Sequence, residues 1–253
     1  MKTVFYKIEC LTNLHVGSGE VNYNVIDNEV EKDAVTGLPV IHASGVKGAL
    51  RDALSKTYSS DEIKRIFGAR GQENEATGGS HKFLDADLIS HPMRVWGDTS
   101  LASISVVTPE SVNSFLAKME AFDVKPFDIT SITEIDFGTN AFLHNCNDDI
   151  RVENEPTGKL DASAIEKLAK LKKVIGDKVA IVKSFNDYSL PVTARNCLQE
   201  HRNLWYEEVV PHGSVLYFGV IYPDECAELV FPPVVQFGGN ASIGCGYTRI
   251  TKI

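Results

Sequence analysis

Thr36-Gly37-Leu38-Pro39-Val40-Ile41-His42-Ala43-Ser44-Gly45-Val46-Lys47-Gly48-Ala49-Leu50-Arg51 reads as a turn, a short strand, a glycine-punctuated loop and the start of a helix. Val46, Ala49, Leu50, Ala53 and Leu54 fall at i, i+3, i+4, i+7 and i+8, which makes one buried stripe on a helix running from about Ser44 to Tyr58. Ser44 is placed to act as its N-cap. Lys47 and Arg51 are one helical turn apart and share a face near the helix start. Cations there oppose the helix dipole, at a cost of a few tenths of a kcal/mol. A bound phosphate would compensate. Two ordinary solvated cations account for the pattern equally well.

Upstream, Val4, Tyr6, Ile8 and Cys10 alternate with Lys7 and Glu9, so Thr3–Leu14 is expected to be a strand and not a signal-peptide core. Residues 17–35 are polar and irregular. Downstream, Ser59-Ser60-Asp61-Glu62 is a capping box for a second helix ending at Gly68. Residues 69–82, rich in Gly, Glu, Gln and Ser, read as a flexible loop. Phe83–Ile89 and Ser103–Val107 read as strands. Thr108-Pro109-Glu110 starts a helix whose buried stripe is Val112, Phe115, Leu116 and Met119. The order strand, helix, strand, strand, helix, closed by a later strand, is the split βαβ of ferredoxin-like folds. In the second half, Asn145–Gly158 is polar and Ser163-Ala164-Ile165-Glu166 caps a helix ending near Gly176. Val179–Val182, Val215–Tyr222 and Tyr247–Ile253 read as strands. The expected class is α+β: a modified ferredoxin-like (RRM-like) core with insertions, in a single domain spanning 1–253.

Apolar residues make up 43% of the 253 positions and charged residues 23%, as in ordinary globular proteins. The longest apolar run, Val215–Tyr222, is far too short to span a bilayer as a helix. The five cysteines (10, 146, 197, 226 and 245) show no C-x-x-C or zinc spacing, so a reducing cytoplasm is the expected setting and no membrane is implicated. The net charge of −9 argues against a free-standing nucleic-acid binder, which is usually basic. A basic groove can nonetheless sit on an acidic body, and an assembly shares phosphate contacts among its subunits.

Carboxylates at 27, 29, 31 and 33 alternate and would share one face of an extended segment. By spacing alone a solvated acidic edge is favoured over a divalent-cation site. His15 sits in a glycine-rich loop, Leu14-His15-Val16-Gly17-Ser18-Gly19. The run Gly238–Gly246 has no lysine and no Walker-A spacing, which argues against nucleotide hydrolysis. Its glycines, Gly239, Gly244 and Gly246 among them, suit close backbone approach to phosphate, or simply a tight turn. Tyr188, Arg195, Trp205 and Tyr206 belong either to a protruding hairpin, over 186–208, that stacks on bases, or to the core.

Taken together, these blocks resemble the RAMP superfamily of CRISPR RNA-binding proteins, and within it the repeated backbone subunit of the type III-B (Cmr) effector complex. The family pattern T-G-x-P-x-I-P-x-S-S-x-K-G-x-x-R is met at Thr36, Gly37, Pro39, Ile41, Ser44, Lys47, Gly48 and Arg51, with His42 for a proline and Gly45 for a serine. The first glycine loop, Phe83-Leu84-Asp85-Ala86-Asp87-Leu88-Ile89 with Pro92-Met93-Arg94, and Gln236–Tyr247 match three further blocks in the family's order. Residues 131–183 carry no family motif. In the family's I-D-x-P-I-x-R-E segment the aspartate is required for cutting target RNA. The resemblance places it at Asp27, inside the loop 17–35, with Glu29 in place of the proline.

The resemblance further implies that His15, Ser44, Lys47, Arg51, Arg195, Gly239, Gly244 and Gly246 lie along the RNA. The implied partners are CRISPR guide RNA, complementary target RNA, further copies of the chain in a helical filament and other Cmr subunits. An aspartate is a poor general base for an alcohol but a good ligand for Mg²⁺ or Mn²⁺, so Asp27 is expected to act through a divalent metal. Two alternatives stay open: a non-catalytic RNA-binding backbone module with Asp27 idle, and a metal-free guide-processing endoribonuclease that uses His15.

Overall fold

A computed structural model describes residues 1–17, 19, 25–69, 78–97, 101–125, 141–143, 151–153, 155–159, 169–176, 179–182, 190–197 and 203–253. The strands in chain order are β1 Lys2–Cys10, β2 Val40–Ile41, β3 Lys82–Phe83, β4 Ala86–Trp96, β5 Ser103–Val107, β6 Ala141–Leu143, β7 Arg151–Val152, β8 Glu155–Lys159, β9 Val179–Ile181, β10 Val192–Cys197, β11 Asn203–Glu208, β12 Val215–Tyr222, β13 Val235–Gln236 and β14 Tyr247–Lys252. The helices are α1 Ala43–Leu54, α2 Ser60–Phe67, α3 Pro109–Ala121 and α4 Lys172–Ile175. The main sheet runs β13-β14-β1-β12-β4-β5-β9-β6-β8-β7, and β10–β11 is a separate two-stranded sheet.

Its centre, β14-β1-β12-β4, is antiparallel throughout. Read as the four strands of a ferredoxin-like unit, these stand in the spatial order fourth, first, third, second. The expected class is therefore the observed one. The strand β1 alternates as its sequence requires: Val4, Tyr6, Ile8 and Cys10 face α1 and α2, whereas Phe5 faces α3 and α4. On β12, Leu216, Phe218, Val220 and Tyr222 join the first core, and Val215 and Tyr217 the second.

The expected assignment of the second half of the motif needs correction. The pair β5–α3 is not its closing half but an insertion, packed on the sheet face opposite α1. The second helix of the motif would lie between β12 and β14, and no α-helix is there. Pro223, Pro232 and Pro233, with glycines at 238, 239, 244 and 246, prevent one. An irregular strap takes its place: Leu229, Val235 and Phe237 fill the core, and the Phe231 ring packs edge-on against Tyr6 at 5.0 Å.

Capping decides the helix ends. The α2 box is formed, with Ser59 and Glu62 hydrogen-bonding each other's backbone N–H, and Thr108 and Ser111 do the same for α3. Ser44 is not the N-cap of α1. His42 holds that position without a side-chain cap, and the Asp85 carboxylate accepts the Ala43 N–H instead. This explains why the expected strand Phe83–Ile89 is split into β3 and β4: Asp85 leaves the strand to meet α1. The helix α1 stops at Leu54, short of Tyr58, because Ser59 must be extended to cap α2. The expected cap at Ser163–Glu166 and the aromatic Tyr188 lie outside the described residues.

Candidate functional site

Asp27 lies where the first irregular segment meets β11. Its Oδ2 accepts the Tyr206 N–H at 2.8 Å, and its own N–H donates to the Tyr206 carbonyl at 3.1 Å. Among the described residues its Oδ1 has no hydrogen-bond partner. Asn28 continues the contact: its N–H reaches Tyr206 O at 3.1 Å and its carbonyl accepts the Glu208 N–H at 2.9 Å. The Glu208 carboxylate accepts the Val30 N–H at 3.0 Å and the Lys32 ammonium at 3.3 Å. The carbonyl of the same residue accepts from His15 Nδ1 at 2.8 Å.

That last bond determines how His15 can act. A carbonyl only accepts, so Nδ1 carries the proton, and Nε2 is the free ring nitrogen in the neutral form. A Cβ on Gly17 would lie 3.0 Å from that Nε2. The ring is 9% exposed and locked between the loop and β11. His15 is thus anchored within the site through Glu208 O, with little of the residue exposed.

Glu207 points away from Glu208, as neighbours on a strand must. Its buried carboxylate accepts from Arg195 Nε at 2.9 Å, Trp205 Nε1 at 2.8 Å and Asn240 Nδ2 at 2.9 Å. Burial pushes the Glu207 carboxyl up, but the hydrogen bonds from Trp205 and Arg195 and the arginine's charge outweigh it and hold the group below its ordinary value. Arg195 is therefore committed to an internal ion pair, and its Nη2 lies 3.8 Å from Cys245 Sγ. Trp205 is likewise turned inward. Of the aromatics expected to stack on bases, Tyr206 lies on the exposed hairpin face, with Leu204 and Val192 beside it.

The C-terminal glycines serve close packing within the chain. The Gly239 N–H donates to His15 O at 2.9 Å, the Gly246 N–H to Asn13 O at 2.8 Å and the Gly244 N–H to Ala241 O at 3.0 Å. All three amides are thus used within the chain, as a tight turn would use them. Gly238 and Gly246 have positive φ, and a Cβ on them would fall 2.2 Å from His15 O and 1.9 Å from Phe237 O.

The alternating carboxylates do not converge. Glu31 meets His42 Nε2 at 3.2 Å, and Asp33 Oδ1 closes the Thr36 turn by accepting the Val35 and Thr36 N–H groups. The bond from the Thr36 amide leads in holding the Asp33 carboxyl below its ordinary value, against burial. Among the described residues no three His, Cys, Asp or Glu side chains are grouped to hold a metal ion. On α1, Lys47 has no hydrogen bond or ion pair among the described residues, whereas Arg51 Nη2 donates to Gly68 O at 3.0 Å and so closes the end of α2. Ser44 is exposed in the first turn. Glu207, Glu208 and Asn240 are the site residues that sequence reasoning missed. Their only signal is a pair of adjacent carboxylates between apolar neighbours, in Leu204-Trp205-Tyr206-Glu207-Glu208-Val209-Val210.

A family model described as the RAMP superfamily matches residues 7–249. A Pyrococcus furiosus protein named CRISPR system Cmr endoribonuclease Cmr4 is 24% identical, over 99% of this chain and 96% of its own length. A Saccharolobus solfataricus protein named CRISPR system CMR subunit Cmr4 is 26% identical, over 96% and 94%. Among solved structures, a chain of the type III-B Cmr-beta complex bound to cognate target RNA superposes with a TM-score of 0.79 at 20% identity, covering 100% of this chain and 97% of that one. Oligomeric Cmr4 from Pyrococcus furiosus gives 0.76 at 22% identity, with 100% and 98% covered. With the glycine loops, the α1 segment and the core strand order all in place, this chain belongs to the RAMP superfamily.

Proposed function

We propose that the chain is the repeated backbone subunit of a type III-B CRISPR ribonucleoprotein, working in the cytoplasm with guide RNA, further copies of itself and other Cmr subunits, and that it cuts complementary target RNA at Asp27. The observation that carries this reading is the state of Asp27: one carboxylate oxygen is held by the Tyr206 amide and the other has no hydrogen-bond partner among the described residues, beside an exposed apolar hairpin face. Base pairing with the guide selects the target, by analogy with other RNA-guided effectors. Tyr206 and Leu204 give bases a surface to stack on once they leave the duplex. Lys47 takes a guide phosphate, and Arg51 offers the same strand the guanidinium N–H groups not used on Gly68.

Scission by the neighbouring 2′-hydroxyl needs in-line geometry and compensation of charge on the phosphate. Asp27 is fixed in direction by its bond to Tyr206, so its free oxygen is presented at a defined angle. A single carboxylate does not make a zinc or calcium cage, but it suits Mg²⁺ or Mn²⁺, which are commonly held by one or two carboxylates together with phosphate and water. Such an ion, when bound, neutralises charge on the phosphate. A metal-free reaction run by His15 is disfavoured by its burial and by its bond to Glu208 O.

Asp27→Asn tests the reading, because it keeps shape and removes the anion. The assembled complex is expected to bind guide and target as before and to lose target cutting by at least a hundredfold, roughly the effect of misplacing a reacting group. Cutting at the wild-type rate would remove Asp27 from the reaction.

A further inference from the structure

We propose that Glu208 is the positioning residue for Asp27: it fixes the register of the segment that carries the aspartate. The proposal rests on the reading of Asp27 as the cutting residue. Residues 25–33 belong to no strand. Isolated bridges tie them to the rest of the protein, Gly17 to Val30, Asn28 to Glu207 and Lys32 to Pro39, and the second half is further held by the Glu31 N–H on Val16 O at 2.7 Å and the Val40 N–H on Glu31 O at 3.0 Å. Among the described residues, the main-chain bonds of residues 27 and 28 go to Tyr206 and Glu208 alone, and a slip of one residue there turns every side chain to the other face. For Asp27 that slip would carry the carboxylate away from the exposed hairpin face.

Glu208 opposes the slip from four atoms. Oε2 takes the Val30 N–H at 3.0 Å and Oε1 takes Lys32 Nζ at 3.3 Å, two residues further along on the same side. The Glu208 N–H donates to Asn28 O at 2.9 Å, next to Asp27, and its carbonyl holds His15 Nδ1 at 2.8 Å. A carboxylate that is 2% exposed is costly to keep, and an apolar residue would fill the space as well. What an apolar residue could not do is recognise Val30 and Lys32 as a pair. Glu207 faces the opposite way and holds the glycine loop, so the two adjacent carboxylates have separate tasks.

Glu208→Gln tests this in the assembled complex. Its one carbonyl oxygen can serve Val30 or Lys32 but not both, and the amide N–H₂ then confronts the remaining donor. Single-turnover cutting at saturating target is expected to fall about a hundredfold with target affinity unchanged. Hydrogen exchange at the Tyr206 amide, which Asp27 protects, is expected to accelerate in the full chain. Adding Lys32→Met removes the confronted donor, so the double variant should recover most of the cutting rate and of the amide protection. A generally destabilising substitution would not be rescued by a second one. Wild-type cutting with wild-type Tyr206 protection in Glu208→Gln overturns the proposal, and so does a loss that Lys32→Met leaves unchanged. Asp27→Asn measured alongside separates the two readings: a dead Asp27→Asn with an intact Glu208→Gln removes only Glu208, whereas an active Asp27→Asn removes the aspartate and with it the task assigned to Glu208.

Discussion

Gly238→Ala should be among the most damaging single-methyl changes in this protein, and its cost can be worked from the geometry. Gly238 has φ of 72°, and an added Cβ would stand 2.2 Å from His15 O and 3.1 Å from Val16 Cγ2. The left-handed backbone alone costs an alanine about 1–2 kcal/mol. Relieving a contact of that kind by shifting backbone costs about 1–3 kcal/mol more. The shift must also stretch the Gly239 N–H bond to His15 O, worth about 1 kcal/mol. A total of about 4 kcal/mol lowers the melting temperature of a chain this size by about 8–16 °C. Gly244→Ala is the internal control, since its φ is 87° but nothing lies within 4 Å of the added Cβ. It should cost only the backbone part, about 1–2 kcal/mol, or roughly 2–8 °C. Differential scanning calorimetry of both variants reads the comparison. Equal shifts would mean that the two loops do not meet as closely as His15 O and Gly238 do here, and would refute the structural assignment of the glycine run.

Lys47→Ala should flatten the plot of log guide affinity against log salt by about 0.7, the loss of one single-strand phosphate contact, without lowering stability. Arg51→Ala should change both affinity and melting temperature, because it also releases Gly68 O at the end of α2. Electrophoretic mobility shifts at several salt concentrations, paired with thermal unfolding, distinguish the two. Burial holds the His91 imidazole down at about 4 against an ordinary 6.5, so the unfolded chain takes up its proton first as pH falls. The stabilisation is complete above pH 6.5 and is lost on the way to pH 4. That amounts to about 3 kcal/mol, which His91→Gln should remove from the acid limb of urea-unfolding free energies.

Elements whose signal is local were legible in the sequence. The α2 and α3 caps, the buried stripe Val112, Phe115, Leu116 and Met119, and the strand Val215–Tyr222 all stand where spacing puts them. The first cap failed because its ligand is distant: no pattern around Ser44 announces that Asp85 will supply the carboxylate. The place of α3 failed for a related reason. Amphipathic periodicity shows that a helix buries a face, not which side of the sheet receives it. At the site, Asp27 was singled out through resemblance and not through spacing, and the neighbouring Glu31 and Asp33 serve His42 and the Thr36 turn. Glu207 and Glu208 were invisible because their buried carboxylates are matched by donors that, Trp205 apart, come from distant residues 30, 32, 195 and 240. The glycine run was read as two possibilities, and the internal bonds of its amides were beyond the reach of spacing.

The pairing of β1 with β12 and β14 has a consequence in time. The first strand leaves the ribosome about 200 residues before its nearest partner, a delay of roughly 10–40 s at ordinary elongation rates. Through that interval both its edges lack their native partner strands, and such long-range closure is intrinsically slow. Asp27 is in the same position, because the amide that orients it belongs to Tyr206. A chain interrupted anywhere before β11 therefore carries Asp27 without the strand whose Tyr206 amide orients it, and that strand begins only with the last fifth of the sequence.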